Sequence, residues 1–452
     1  MDSIDVGGKW WLEEMDEEDE LVPDEAVAGT LTYSPVHGVE LELLGSFYRM
    51  FERHDDNAET EDGPVNIFGV TTEGEYVTIL NCMCSGDSMS TRDISFTTES
   101  YEKGTVIRRG LVDTDSKYWE CSFSFNNLAT WTGIRSVTTP GDHDIDVGPA
   151  VTESLSTDDA DIILNMHEDM SSAFDGRLGR VYFTVYPDEP LTYSEYLSDY
   201  VRPLQNLVTL GVGEAVFPTF LNLYSARFGH HDSKHSAHWD VPYYREQDDA
   251  NSLQMNFTLQ DVEFKKVVGQ WLESSSKVGR LHDNYFGTRY NDSMFVNTQF
   301  MSMMFALEAY HRRAFPDRQK TMSKSVYRRF RESTLEQMPK VAVWERARDL
   351  FRSIVNEPSI GDRLLDITSR HEEMFPESYD IDSNLSTIKS VRHNIAHSLP
   401  EELSTTDIAR AEILVRIVVL AVLLETAGID REKGREILDN KYSRIDGIIE
   451  LS

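Results

Sequence analysis

The first 200 residues of the chain contain short runs in which apolar and polar positions alternate. These runs lie at residues 30–33, 39–43, 65–70, 76–80, 118–125 and 181–185. Turn-forming Gly, Asp, Asn and Pro residues separate them, and a period of two is typical of strands with one buried face. The pattern therefore predicts an antiparallel β-rich domain over residues 1–200, folded as a sandwich or a barrel.

The period changes to helical spacing after Tyr193. Residues 201–290 combine helical stretches with a strand-like run at residues 255–259, and we interpret them as a mixed connecting segment. Beyond residue 290 the pattern is helical, which predicts an all-α bundle over residues 291–452. Its predicted helices cover residues 294–314, 323–337, 341–355, 360–374, 381–399 and 406–427, with Gly428 as a C-terminal cap. The predicted fold class is thus multidomain α+β.

The chain is strongly acidic, with a formal net charge of -35. Of its 43 basic residues, 30 are Arg and 13 are Lys. A carboxylate-rich surface with few Lys side chains favours a halophilic protein, because carboxylates keep it hydrated in a salt-rich cell. An acidic protein from an ordinary cell is the alternative. Residues 1–20 have no signal-peptide pattern, and no apolar run is long enough to span a membrane, so we expect a cytoplasmic protein.

The acidic charge is concentrated in the first two thirds of the chain. Residues 1–299 contain 20 basic and 53 acidic residues, whereas residues 300–452 contain 23 and 25. Residues 312–331 are locally basic, which indicates a polyanion partner such as RNA. The alternative is a solvated helix face that acids elsewhere balance in space. The candidate RNA-binding residues are Arg312, Arg313, Lys320, Lys324, Arg328 and Arg329.

An arginine and a histidine separated by four residues, Arg392 and His397, lie near the end of a predicted helix. A guanidinium can bind a phosphate and stabilise the negative charge that grows on it in a transition state. An imidazole, with a pKa near neutrality, can move the protons of the reaction. Together they are the groups needed to cleave RNA without a metal ion. On an uninterrupted helix the two positions are about 140° apart, so either the helix breaks there or a second copy of the chain completes the site.

These residues resemble the motif of the HEPN superfamily, in which an Arg, a following polar residue and a His mark endoribonucleases that pair as dimers. His393 occupies the polar position. Other segments resemble ApeA-type anti-phage proteins of bacteria and archaea, in which an N-terminal domain precedes a HEPN bundle. The matching segments are residues 8–12 (GKWWL), 29–33 (GTLTY), 39–47 (VELELLGSF) and 307–313 (LEAYHRR).

The resemblance implies an effector of abortive infection. Its N-terminal domain would sense a cue such as a phage-derived trigger, and its HEPN homodimer would cleave RNA with no cofactor and no metal. Arg392 and His397 would be catalytic, with His393 as a second proton donor or phosphate ligand. Glu308 and His311 share a helix face, and Glu308 would hold Arg392 or set the tautomer of His397. The alternative for Glu308 is an ordinary ion pair at the core edge. The alternative for His393 is a simple surface residue.

Two other functions remain open. A HEPN bundle can bind RNA or a partner protein without cutting it, in which case Arg392 pairs with a surface acid and His397 caps its helix. A metal-dependent enzyme would instead use the histidine-rich residues 230–238, where His231 and His235 are four residues apart. The Ser, Gly and Asp residues of that segment favour a solvated loop over a metal site.

Overall fold

The computed structural model describes residues 1–15, 22–47, 63–90, 96–133, 152–166, 181–226, 234–245, 254–353, 356–397, 403–443 and 445. The chain forms two compact units, unit 1 from Met1 to Leu272 and unit 2 from Glu273 to Ser452. The predicted connecting segment is divided between them, because strands within residues 218–239 pair into the sheet of unit 1. The sequence predicted three parts, at residues 1–200, 201–290 and 291–452. The structure has two compact units instead.

Unit 1 is β-rich, and its described strands pair antiparallel. Thirteen strands form one sheet, and two short strands, β8 and β13, pair separately. The strands are β1 (Ile4–Leu12), β2 (Val27–Ser34), β3 (Gly38–Leu43), β4 (Val65–Thr71), β5 (Tyr76–Ser90), β6 (Phe96–Glu102), β7 (Thr105–Arg108), β8 (Lys117–Tyr118), β9 (Glu120–Phe125), β10 (Thr152–Ser156), β11 (Ala160–Met166), β12 (Val181–Pro187), β13 (Leu191–Thr192), β14 (Pro218–Tyr224) and β15 (Lys234–Trp239).

Six of these strands close into a barrel. β5 pairs with β4, the order continues through β1, β2 and β3 to β6, and β6 pairs back onto β5. The first part of β5 also pairs with β7. Through β7 the barrel continues into an open sheet in the order β15, β14, β9, β12, β11 and β10. The predicted antiparallel β-rich domain is confirmed, and a barrel forms one half of it.

The barrel interior follows from strand alternation, since every second residue of β2 and β3 is buried. Trp10 of β1 is fully buried within the barrel. Its indole lies against Gly8, Gly29 and Gly69, and a Cβ atom at Gly69 would be only 2.2 Å from Trp10 Cε3. Glycine at these positions therefore makes room for the largest side chain of the barrel core.

Helices complete unit 1. They are α1 (Leu128–Thr132), α2 (Tyr193–Tyr196), α3 (Arg202–Val212) and α4 (Phe264–Val278), which ends in unit 2. Trp131 of α1 packs on Phe183 of β12, with ring centroids 6.5 Å apart. The strand-like run at residues 255–259 is not a strand. The N–H groups of Asn256 and Phe257 instead both donate to the carbonyl oxygen of Gly211, at 2.8 and 3.1 Å.

Unit 2 is helical, as the sequence predicted. Its described helices are α5 (Arg280–Tyr290), α6 (Val296–Ala314), α7 (Lys324–Gln337), α8 (Ala342–Ser353), α9 (Ile360–Arg370), α10 (Ile381–His397), α11 (Thr405–Thr426) and α12 (Arg431–Tyr442). Ser404 and Asp407 form a capping box at the start of α11. After α11, Gly428 has a φ of 75°, and its N–H donates to Glu425 O at 2.9 Å, so the predicted C-terminal cap is confirmed.

The central helix of unit 2 is α11. Every residue from Ala411 to Leu424 is buried except Arg416. Glu412 is among the buried residues, and Arg416 Nε donates to its Oε1 at 3.0 Å. The neighbours of α11 are α5, α6, α10 and α12. A helix that is apolar on all sides must be enclosed by others, and this requirement sets the arrangement of the bundle.

Gly69→Ala should lower the free energy of unfolding of unit 1 by about 1–3 kcal/mol, because the added methyl group overlaps Trp10 in a closed core. Gly86→Ala in β5 is the matched control, since no atom lies within 4 Å of its added Cβ. The midpoints of urea unfolding, followed by tryptophan fluorescence, test the pair. Equal destabilisation of the two variants would contradict the proposed role of Gly69.

Candidate active site

Arg392 and His397 both lie on α10, and the helix does not break between them. Regular α-helix runs from Ile381 to His397, so the two positions are about 140° apart around the axis and about 7.5 Å apart along it. The spacing left two possibilities open, a helix that breaks between the two residues or a second copy of the chain that completes the site. The first of these is therefore wrong. His393 is exposed next to Arg392, and the side chain of His397 lies outside the described residues.

The structure brings two of the predicted site residues together, Glu308 of α6 and Arg392 of α10. Glu308 Oε1 lies 3.5 Å from Arg392 Nη2, and the side chains are 23% and 28% exposed. At this length the contact is an ion pair rather than a good hydrogen bond. Arg392 Nε has no hydrogen-bond partner within the described part of the chain. That nitrogen is buried, but the side chain as a whole is 28% exposed, so the guanidinium that the carboxylate holds can still donate hydrogen bonds to a phosphate through its accessible N–H groups.

Apolar packing on α11 places this pair. Leu307 of α6 and Ile388 and Val391 of α10 are buried, and α6 and α10 both pack on α11. Glu308 and Arg392 each follow a buried residue, so they come to lie at the edge of the core. Solvent reaches apolar groups on the same two helices, because Ile395 is only half-buried and Phe305 is 56% exposed.

His311 is paired with an acid of α9. Its fully buried side chain places Nε2 2.9 Å from Asp366 Oδ2, and Arg318 binds the other oxygen of that carboxylate. The imidazole also stacks on Phe315, with ring centroids 4.8 Å apart. These contacts join α6 to α9. The role of Asp366 is not predictable from the sequence, because nothing in the local spacing relates it to a residue 55 positions earlier.

The candidate RNA-binding residues differ in their surroundings. Arg312 is 59% exposed, and its Nη2 lies 3.4 Å from Glu357 Oε2, an oxygen that the buried Arg363 also binds, at 2.9 Å. Arg313 is exposed, and its guanidinium lies over Gly279. The remaining four are exposed on α7 or shortly before it, namely Lys320, Lys324, Arg328 and Arg329.

The helical hairpin formed by α7 and α8 combines basic and aromatic groups. Residues 318–353 contain ten basic and four acidic residues, within a chain of net charge -35. Phe330 and Trp344 are 47% and 43% exposed, and Phe330 contacts Phe351 with ring centroids 6.0 Å apart. No residue of α7 is buried. A surface with guanidinium groups and accessible aromatic faces is suited to a single-stranded nucleic acid.

The histidine-rich segment is only partly a loop. His235 and His238 lie in β15, which pairs with β14 and β7, and each is 9% exposed. The solvated loop is therefore wrong for this part, because sheet pairing buries it. Burial lowers the pKa of both imidazoles, that of His238 to about 4. His230 and His231 lie outside the described residues. Within the described ranges, no group of three or more His, Cys, Asp or Glu residues could hold a metal ion.

Comparison with known protein families agrees with the two-unit architecture. The family model for ApeA N-terminal domain 1 matches residues 5–271. The chain belongs to this family. The model for Apea-like HEPN matches residues 301–433, so the domain order that the sequence resemblance implied is confirmed. No curated protein and no solved structure matches the chain.

The ApeA and HEPN matches support an anti-phage effector, and HEPN domains usually act as ribonucleases and commonly form dimers. The first match ends next to the boundary between the two units, and the second lies within unit 2. Across the helices that the structure describes, none is both long enough and apolar enough to cross a membrane.

Asp366→Ala should destabilise unit 2 by about 1–3 kcal/mol, because it leaves the buried imidazole of His311 without its partner. Arg318→Ala should lower the free energy of unfolding by less than about 1 kcal/mol, because Arg318, the other partner of Asp366, is 68% exposed. Urea unfolding followed by far-ultraviolet circular dichroism measures both. A larger loss in Arg318→Ala than in Asp366→Ala would show that the buried contact is not the stabilising one.

Proposed function

We propose that the protein is a metal-independent endoribonuclease of anti-phage defence that acts as a homodimer. A base removes the proton of an RNA 2'-hydroxyl, the 2'-oxygen bonds to phosphorus, and the bond to the 5'-oxygen breaks as an acid protonates that oxygen. His397 is the acid or the base, Arg392 binds the phosphate, and His393 is the further proton donor or phosphate ligand. The products are a 2',3'-cyclic phosphate and a 5'-hydroxyl.

The ion pair between Glu308 and Arg392 is the observation that carries this proposal. The guanidinium is half-buried, oriented by a carboxylate and left with N–H donors. A fixed guanidinium of this kind stabilises developing charge on a phosphate without reorganising during the reaction. Glu308 acts here as a positioning residue, because it acts through Arg392.

A second copy of the chain would complete the site. Because α10 is unbroken, positions 392 and 397 of one helix do not converge on a single phosphate. Two helices related by a two-fold axis can place Arg392 of one copy near His397 of the other. The exposed Phe305 and the half-buried Ile395 give this face apolar surface that a second copy can cover.

The basic hairpin supplies binding surface for the RNA. Arg328 and Arg329 are exposed on α7, Lys320 and Lys324 are exposed near its start, and Trp344 is accessible on α8. Basic groups bind the phosphates and aromatic faces stack on unpaired bases, so we propose a single-stranded RNA substrate. The non-catalytic HEPN alternative would use the same surface without cutting.

The defence role rests on the family match of unit 1 and the Apea-like HEPN match. In this proposal unit 1 responds to an infection-derived trigger, and RNA cleavage by unit 2 stops the infected cell. The many acidic residues and the preference for Arg over Lys support action in a salt-rich environment.

Purified protein should cleave single-stranded RNA equally well with and without EDTA, because no proton transfer or charge stabilisation in this mechanism uses a metal ion. Arg392→Ala should slow cleavage about 100-fold or more and change RNA binding little, since the hairpin provides most of the contacts. Gel assays of cleavage and filter-binding assays measure the two effects. The cut ends should accept a phosphate from polynucleotide kinase without prior dephosphorylation.

Lys389→Ala is the matched control, because Lys389 is an exposed basic residue on the same helix. It should retain full activity. Loss of cleavage in EDTA by a protein that stays folded would overturn the metal-independent mechanism. RNA binding without any cleavage, by the unaltered protein both alone and with an extract of phage-infected cells, would favour the non-catalytic module.

A further inference from the structure

Unit 1 contains a cavity that takes no part in the proposed cleavage. It measures about 690 Å³ and lies against the open sheet where β9, β14, β15 and β7 are neighbours. This volume falls within the range of about 300–1,000 Å³ that is usual for small-molecule sites.

Strand alternation gives the cavity a polar floor. Asn222 of β14 pairs with Ser236 of β15, which pairs with Arg108 of β7, so the three line one face in a row. Ser236 Oγ donates to Asn222 Oδ1 at 3.1 Å. The residues on either side of Asn222, Leu221 and Leu223, are buried. The sheet therefore packs apolar side chains on one face and presents hydrogen-bonding groups to the cavity on the other.

Two adjacent arginines line the wall. Arg108 Nε donates to Glu75 Oε2 at 2.9 Å, and Arg109 Nε lies 3.6 Å from Glu75 Oε1. Adjacent strand residues normally face opposite ways, but Arg109 has a φ of 70°. Its N–H is held by Tyr76 O at 2.8 Å. A left-handed residue other than glycine is strained, so the surrounding contacts hold Arg109 in this conformation.

The cavity gathers positive charge in an acidic unit. Residues 1–272 contain 17 basic and 50 acidic residues, yet Arg108, Arg109 and Lys234 all line this one cavity. The acids that line it are Glu75 and Asp2. Such a local excess of cations favours an anionic ligand.

Two further side chains indicate which groups the ligand has besides its anionic group. His238 lines the cavity with 9% exposure, and its Nδ1 has no hydrogen-bond partner among the residues the structure describes. Burial keeps its pKa near 4, so the imidazole is neutral at pH 7 and can hydrogen-bond a polar ligand atom. Phe220 is half-buried at the lining and offers part of an aromatic face.

We propose that this cavity of unit 1 binds a nucleotide. The planar guanidinium groups of Arg108 and Arg109 match the geometry of a phosphate. The Asn222 and Ser236 row and His238 offer hydrogen bonds to a ribose or a base edge, and Phe220 offers a surface on which a base can stack. The residues that line the site all belong to unit 1.

Isothermal titration calorimetry of the full-length protein tests the proposal with three sets of probes: the four ribonucleoside 5'-monophosphates, the four nucleosides, and inorganic phosphate. At least one monophosphate should bind more tightly than its nucleoside and than phosphate. Arg109→Gly should weaken that binding about tenfold or more, the size of one charge-assisted hydrogen bond. Glycine tolerates the left-handed backbone, so this variant should keep its fold.

Lys103→Gly is the matched control. Lys103 is an exposed cation of unit 1 with a φ of 64°, and it lies outside the cavity lining. It should bind the monophosphate as the unaltered protein does. The proposal is overturned if no monophosphate binds at millimolar concentration, if nucleosides bind as tightly as monophosphates, or if both glycine variants lose affinity equally. None of these measurements depends on RNA cleavage.

Discussion

The enclosure of α11 is the constraint on which unit 2 depends. A helix that is buried over nearly all of residues 411–424 is stable only when other helices remove it from water. α6 and α10 do so on neighbouring sides, and their contact with α11 brings Glu308 and Arg392 together. An ion pair between partly exposed groups contributes little stability by itself. The position of the guanidinium is therefore set by apolar packing, and Glu308 refines its orientation.

Two groups of cations in this acidic chain lie where the proposed anionic ligands would bind. The hairpin of α7 and α8 presents them on an open surface beside accessible aromatic rings, which suits a long and variable polymer. The cavity of unit 1 presents them in a concave site above a polar floor, which suits a small ligand of fixed shape. Carboxylates elsewhere on the surface repel polyanions, so anions are favoured at the hairpin and in the cavity.

Local periodicity predicted six of the eight described helices of unit 2 and six of the fifteen described strands of unit 1. The predicted helices between residues 294 and 427 correspond to α6–α11, and the alternating runs correspond to β2, β3, β4, β5, β9 and β12. Barrel closure was beyond local pattern because it depends on pairing between distant strands. The pairing of β15 with β7, which sets His238 beside Val106, is an example, and it buries histidines that their neighbours in sequence suggested were solvated.

Part of the candidate site could likewise be predicted from the sequence. Arg392 and the partner role of Glu308 could be inferred from spacing and resemblance, because both residues stand in recognisable local patterns. The contacts of Asp366 and Glu357 could not be inferred, because they depend on how α9 and the turn before it pack on α6. His311 was expected near the motif on the strength of a shared helix face, but a shared face does not specify which neighbouring helix the side chain meets.

β5 belongs to both halves of unit 1, as a wall of the barrel and as the strand that holds β7 at the side of the cavity. Backbone pairing lost along this one segment would disturb both halves at once. Unit 1 should therefore melt as a single cooperative body rather than in two stages. By the same connection, an occupied cavity would raise the resistance of the barrel to proteases.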